Sequence, residues 1–567
     1  MRHPTEGRVR RHLADIAVLS VVATTVTGVL LSPPRLRAGL ALTVAAALTA
    51  TLLSPYAAPQ AFADPSGPQG SDAAARTASR SERDATAALD RARAVVDGRV
   101  RGDLTMALRD VATSREALVG ADRAAADRLL ARPGDSTGDD LIDYSGETIA
   151  KPICSTSVCV HYVTTGADAP SLADADADGR PDYVETVLAT VGSVRTKYLT
   201  AGYRAPRRDG ALGGGSNKFD VYLGDIGQGG YYGYCIPDEP NTSHNRDRYD
   251  RYSFCGLDND YAEFATHTPR ENLQVTVAHE YFHATQFAYD AFEDGWLLEA
   301  TAAWIEDEVY DTVNDNLQYL RTSQLTRPTV PLDTFSTSGS TNGFHYGTWS
   351  FFRFLTERYP TRKGGLPKLV LDVFRVADGA PGGDDDYSWQ AVDRVLRAKG
   401  TSGAKMLASY AVANRRASTR YAEGATNHYP SAPLGANKRV SQRTGYSHTF
   451  RLDHLATTTV RLTPQSVGSR YRLELKLRLQ PTARGSLVRI TSASKGGRLT
   501  TTTVALNRNG DANKRIGFSS ATVSWVEVTL VNGSGRFRCF TQTGTSSCHG
   551  DALDQRQPGT LSAKAVR

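Results

Sequence analysis

Two rhythms of apolar residues divide this chain. Over residues 457–462, 471–479, 486–490, 500–506 and 524–531, β-branched and apolar residues alternate with polar ones in short runs. Gly, Pro and Asn interrupt these runs at intervals of roughly ten residues, the pattern of short strands folded into an all-β sandwich. Between about 141 and 435 the pattern is mixed. Residues 218–223 read as a strand followed by a Gly/Tyr-rich turn, and the segments 269–289, 296–310, 346–358 and 402–417 read as helices. Upstream, the segment 64–140 is rich in Ala, Arg and Asp, without cysteine and almost without aromatic residues. Within it, 85–96 and 104–118 read as solvent-exposed helices, and Ala131-Arg132-Pro133-Gly134-Asp135 closes it as a linker would.

The N-terminus adds a leader. Arg35 and Arg37 precede an apolar run over 38–53, and Ala61-Phe62-Ala63 stands before Asp64. This is the layout of a secretory signal peptide cut after Ala63. The run is shorter than the ~20 apolar residues a membrane span needs. A second apolar stretch, 16–31, lies upstream and is not accounted for by one signal peptide. The expected parts are a leader over 1–63, a helical propeptide or spacer over 64–140, a mixed domain over 141–435 and a basic β-sandwich accessory domain over 436–567. No other stretch could cross a bilayer, so a secreted protein without a stable membrane span is expected.

Charge supports the later boundary. Residues 141–435 carry 27 Lys and Arg against 38 Asp and Glu, a net of −11; residues 436–567 carry 21 against 6, a net of +15. Two electrostatically different bodies are expected, and the basic one could bind an anionic cell-wall polymer. With no recognition helix or nucleic-acid motif in it, nucleic-acid binding is not expected. The six cysteines fall in close pairs, Cys154 with Cys159, Cys235 with Cys255 and Cys539 with Cys548. In an exported chain this suggests three local disulfides. None has the spacing of a thiolate zinc knuckle.

The candidate chemistry lies in His279-Glu280-Tyr281-Phe282-His283. Thr268, with Pro269 next and Glu271 three residues on, makes a capping box that starts a helix about eleven residues before His279. On that helix His279 and His283 sit one turn apart on one face, where both imidazoles can hold a zinc ion. Glu280 lies beside them as general base. Such a motif arises by chance in about one chain of this length in a hundred, so its surroundings matter. Sixteen residues after His283, in Trp296-Leu297-Leu298-Glu299, a carboxylate follows a turn-like stretch over 290–295. Glu299 could return to the histidines as a third ligand and leave the fourth position for water. Glu306, two turns further, reads as a solvated surface residue rather than a partner that orients a histidine.

HEYFHATQ followed by WLLEATAAW resembles the gluzincin clan of zinc peptidases, which includes thermolysin-like enzymes and a group of aminopeptidases. The resemblance implies an α+β zincin-like metallopeptidase domain over 141–435, its HExxH helix packed near a small sheet. It implies His279, His283 and Glu299 as zinc ligands and Glu280 as base. The spacing from His283 to Glu299 is a few residues shorter than is usual in the clan. Clan members often place a Tyr or His at an oxyanion-stabilising position, which here implies Tyr346, with His345 second. The segments PDYVE, FDVYLGD, GYYGYC and HEYFHATQFAYD are similar to a group of secreted bacterial metalloproteases, a resemblance that covers about half the chain and says little about substrate.

A second metal is suggested by Asp174-Ala-Asp176-Ala-Asp178-Gly179-Arg180-Pro-Asp182-Tyr-Val-Glu185. Carboxylates stand at positions 1, 3, 5, 9 and 12 of a calcium loop, with Gly at 6 and the Arg180 carbonyl at 7. The expected cofactors are one catalytic Zn2+ and one structural Ca2+, and the expected partner is a peptide or protein substrate. Three other readings stay open: an aminopeptidase, a zinc hydrolase of non-peptide amides, and a calcium-stabilised binding protein with an inactive site.

Overall fold

The computed structural model describes residues 69–567 except 135–140, 211, 240–248, 384 and 542–544. The expected leader over 1–63 lies outside the described residues, all of which belong to one unit of the chain. No helix among them is long and apolar enough to cross a membrane.

A five-stranded sheet organises the region before residue 260. Its strands are β1 (Ile153–Cys154), β2 (Val158–His161), β3 (Phe219–Gly224), β4 (Gly233–Pro237) and β5 (Ser253–Asp258), in the order β1-β2-β3-β5-β4. β2, β3 and β5 run parallel; β1 and β4 pair antiparallel at the two edges. Successive side chains point to opposite faces. Val221, Leu223, Cys235, Cys255 and Leu257 therefore face one core, while Tyr222, Tyr234, Ile236 and Phe254 face another.

Helices α4 (Asp182–Ala201) and α5 (Pro269–Phe287) fill the first core. The second is filled by α1 (Gln69–Val96), α2 (Leu104–Ser114) and α3 (Gly120–Leu129). This corrects the expectation of solvent-exposed helices over 85–96 and 104–118. Ala85, Ala88, Leu89 and Ala92 recur at helical spacing and are buried, as are Leu104, Leu108 and Val111. Small alanine side chains make a low-hydrophobicity stripe that still packs closely, so composition alone mistakes it for a solvated face. Arg132 ends this layer with ion pairs to Asp209 at 2.9 Å, Asp220 at 2.6 Å and Asp238 at 2.7 Å, all but Asp238 deeply buried.

The helix expected over 269–289 is α5, and both halves of its capping box form. Glu271 N–H donates to Thr268 Oγ1 and Thr268 N–H to Glu271 Oε2. It is followed by α6 (Gly295–Val309), α7 (Phe344–Gly347) and α8 (Trp349–Arg358), with Thr348 interrupting the helix expected over 346–358. A short hairpin, β6 (Arg362–Lys363) and β7 (Leu366–Pro367), leads to α9 (Lys368–Val376), α10 (Ser388–Ala398) and α11 (Gly403–Asn414).

The C-terminal region is β-rich, starting at β8 (Ala436–Val440). β9 (Tyr446–Leu452), β10 (Ala456–Pro464), β11 (Arg472–Arg478), β12 (Ser486–Ser494), β13 (Leu499–Thr503), β14 (Asp511–Gly517) and β15 (Val523–Asn532) follow. A two-stranded ribbon, β16 (Phe537–Arg538) with β17 (Asp551–Ala552), precedes β18 (Gln557–Val566). Two sheets, β13-β12-β15-β10-β8 and β14-β11-β18-β9, share one core in which Val460, Val488 and Val528 meet Leu473, Leu475 and Leu561. Buried polar contacts join this region to the rest: Glu527 takes Arg415 and Arg416, and Asp333 pairs with His454 at 2.7 Å. All three cysteine pairs are disulfide-bonded, and no described cysteine is free.

Candidate metal centre

The contacts between α5 and α6 have a near-constant sum of residue numbers: His279 meets Glu306, His283 meets Glu299 and Gln286 meets Leu298. The two helices therefore run antiparallel, and α6 carries its carboxylates back along the histidine face. Glu299 stands between the imidazoles. Its Oε2 is 3.1 Å from His279 Nε2 and its Oε1 is 3.2 Å from His283 Nε2. Two ligands of a tetrahedral zinc at about 2.0–2.2 Å lie about 3.3 Å from each other, so these spacings fit that ion. His283 Nε2 and Glu299 Oε1 are buried without a hydrogen-bond partner. A cation between them would remove the cost of two such atoms, about 1–3 kcal/mol each.

The far sides of both rings are held. His279 Nδ1 lies 2.5 Å from Glu306 Oε1, and His283 Nδ1 lies 2.7 Å from Gln286 Oε1. The Gln286 amide donates to Leu298 O and Thr301 Oγ1, both at 2.9 Å, which fixes its oxygen toward His283. With Nδ1 protonated on each ring, both Nε2 lone pairs turn inward. Glu306 is thus a buried partner of His279, not the solvated surface residue expected; α6 is buried on nearly every side, which its sequence pattern did not reveal.

Electrostatics follow from the burial. For Glu299 burial favours the neutral acid, but His283 and His279 outweigh it and hold the carboxyl well below its usual range. Burial opposes the His279 imidazolium, yet bonds to Glu299 and Glu306 raise its pKa well above the ordinary value. Burial pushes Glu306 up to about 8 against the pull of His279, and it raises Glu280 as well.

Glu280 lies on the side of α5 nearest the edge strand. Gly233 at the start of β4 makes this approach possible: a Cβ there would stand 2.8 Å from Thr276 Cγ2 and 2.9 Å from Glu280 Cγ. The disulfide partners Cys235 and Cys255 sit directly opposite each other on β4 and β5. Cys235 N–H points away from β5 and donates to Thr105 Oγ1 at 3.1 Å. The same hydroxyl donates to Glu280 Oε2 at 3.1 Å.

Tyr346 and His345 also reach this place. Tyr346 OH donates to Asp103 Oδ2 at 2.9 Å, and its ring centroid is 6.1 Å from that of His279. His345 Nδ1 accepts Ser336 N–H at 3.2 Å. Burial lowers its pKa to about 4, so the ring is neutral near pH 7 and its proton is on Nε2. That Nε2 is buried without a hydrogen-bond partner and lies 3.7 Å from Asp103 Oδ2. A cleft of about 510 Å³ opens onto His279, Glu280 and Glu299, walled by residues 98–105 and 229–233. Asp103, Thr105 and Gln286 were not anticipated. Gln286 stands three residues after His283 and was within reach of sequence; Thr105 lies 175 residues from Glu280 and gives no local signal.

The acidic loop closes on itself. Asp174 accepts from the N–H groups of Asp178 and Gly179, Asp182 from that of Ala175, and Gly179 takes a φ of +89°. Asp174, Asp176 and Asp182 converge as one group able to hold a metal, and Asp176, Asp178 and Glu185 as another. The Arg180 side chain pairs with Glu185 at 3.5 Å.

No protein-family model matches the chain, and no curated protein does. One similar solved structure is the pre-peptidase C-terminal domain of a collagenase from Bacillus anthracis, at 12% identity and a TM-score of 0.14, covering 24% of this chain and 97% of that one. Another is a family GH115 4-O-methyl-α-glucuronidase with specificity for decorated arabinogalactans, at 9% identity and a TM-score of 0.12. It covers 53% of this chain and 38% of that one, so the match spans well under half of that enzyme. Likenesses this low carry no argument for fold or activity.

Proposed function

We propose that this chain is a secreted zinc-dependent endopeptidase with a zincin-like catalytic domain of the gluzincin type. The observation that carries the reading is the convergence of His279 Nε2, His283 Nε2 and both Glu299 oxygens beside Glu280 in a cleft. Zinc, when bound there, supplies a Lewis acid for the scissile carbonyl and draws down the pKa of a water. Glu280 takes the proton of the attacking water and passes it to the leaving amine, a role that its raised pKa suits. Tyr346 OH and His345 Nε2–H are the donors for the oxyanion. Glu306 and Gln286 hold the two imidazoles in the tautomer that zinc requires.

The expected leader and the three disulfides support export. In this reading the loop over 174–185 holds one Ca2+ that stiffens the start of α4, and the basic β-rich region, net +15 over 436–567, binds anionic cell-wall polymer.

The test is zinc content and casein cleavage by purified residues 64–567, beside Glu280→Gln and His283→Ala. One zinc per chain is expected in the wild type and in Glu280→Gln, and none in His283→Ala. Cleavage is expected to depend on Glu280. A wild type that takes up no zinc, or a Glu280→Gln chain that cuts as fast, overturns the reading.

A further inference from the structure

Residues 98–105 wall the mouth of the metal centre, and Asp103 divides its carboxylate between two tasks. Oδ1 accepts Met106 N–H at 2.8 Å and caps α2. That bond pins Oδ2 toward the site, where it takes the Tyr346 hydroxyl at 2.9 Å and faces the unpartnered His345 Nε2–H at 3.7 Å. Two residues on, Thr105 occupies both Glu280 and the outward N–H of Cys235 on the edge strand. The base, the oxyanion donors and the open edge of β4 are thus each engaged by residue 103 or 105.

Asp103 is also an acid out of place. It is buried, 6% exposed, in the same cleft as Glu299 and Glu280. Burying carboxylates together is costly unless a cation answers them. The sequence excludes a thiolate as the group that silences zinc in this segment, but a carboxylate oxygen is an equally ordinary zinc ligand.

We propose that Asp103 is a fourth protein ligand of the metal and that residues 98–105 thereby hold the intact chain latent. This deepens the zinc reading above and rests on it. With three ligands from α5 and α6 and a fourth from the cap of α2, the centre is closed in the manner of a structural site, with no position left for water. When the segment is withdrawn, Tyr346 OH and His345 Nε2–H lose their shared neighbour and stand free to meet a substrate oxygen.

The experiment loads residues 64–567 with cobalt(II), whose visible absorption reports ligand number and geometry. Wild type is compared with D103N and D103A. Asparagine keeps the helix cap through its own Oδ1, so D103N separates loss of a ligand from loss of α2, and far-UV circular dichroism checks both. Both variants are expected to change the cobalt bands, to release the metal to a chelator at least ~10-fold faster, and to cleave casein several-fold faster than the wild type, whose residual cleavage comes from the fraction of chains with the segment withdrawn. Unchanged bands and release rates, or casein cleavage no faster in the variants than in the wild type, overturn the inference and leave the zinc reading standing. A wild type that takes up no cobalt overturns both.

Discussion

Gln286 Oε1 accepts the Nδ1 proton of His283 at 2.7 Å, and the Gln286 amide is itself tied to Leu298 O and Thr301 Oγ1 on the facing helix. The orientation of one imidazole is therefore set by a residue one turn further along its own helix and by the backbone of the next. Gln286→Ala frees the ring and is expected to weaken metal binding by about 10–100-fold. Chelator competition measures this, and Glu280→Gln serves as the control whose affinity stays within a few-fold of wild type.

Asp290 gives stability a pH dependence of definite sign. It is 2% exposed, and burial raises its pKa to about 8. The folded state holds the proton more tightly than the unfolded chain, whose Asp titrates near ~3.9. Its contribution is therefore fully present below about pH 4 and is lost as pH rises through about 8, at up to about 1.4 kcal/mol per pH unit. Asp290→Asn keeps an acceptor for Phe292 N–H and removes that slope. Urea unfolding at pH 5 and pH 8 is expected to show the variant gaining on wild type at the higher pH; parallel profiles would refute the assignment.

Arg132 is the hub of three carboxylates. Arg132→Met leaves Asp209, Asp220 and Asp238 without the guanidinium, with Asp220 fully enclosed. Breaking a buried pair on one side costs about 3–5 kcal/mol. Denaturant titration is expected to show a loss of that order, and a loss below about 1 kcal/mol would mean that the carboxylates are rescued by water or protonation.

Gly233 is required by contact. Gly233→Ala forces a methyl to within 2.8 Å of Thr276 and 2.9 Å of Glu280. Overpacking of this kind costs about 1–3 kcal/mol, and here it pushes aside the Glu280 side chain on the facing helix α5. Thermal unfolding is expected to show the stability loss, and casein cleavage in a D103A background a larger loss than stability accounts for.

What the sequence revealed was local. The capping box of Thr268 and Glu271, the one-turn spacing of His279 and His283, and the alternation over 457–462 or 524–531 are set by neighbours in the chain, and each has its element in the structure. The return of Glu299 was legible because only a short turn separates α5 from α6. Glu306 was misread because α6 is buried on almost every side and offers no polar face to mark which carboxylate is enclosed. Asp103 and Thr105 were illegible for another reason: they reach the site from a different layer of the fold, and nothing near them in the chain records that neighbour. The alanine stripe of α1 belongs with these, since its burial depends on α2, against which it packs, and on the layer that α2 makes with the sheet.

The grip of Arg132, together with the two bonds from Arg109 to the carbonyls of Ala291 and Glu293, separates covalent continuity from physical attachment. A chain broken just beyond Arg132 would run as two bands on a denaturing gel and still elute as one species from a sizing column. Counting cuts would then overstate how many molecules had come apart, and the slow event to time would be the departure of a fragment, not the scission that created it.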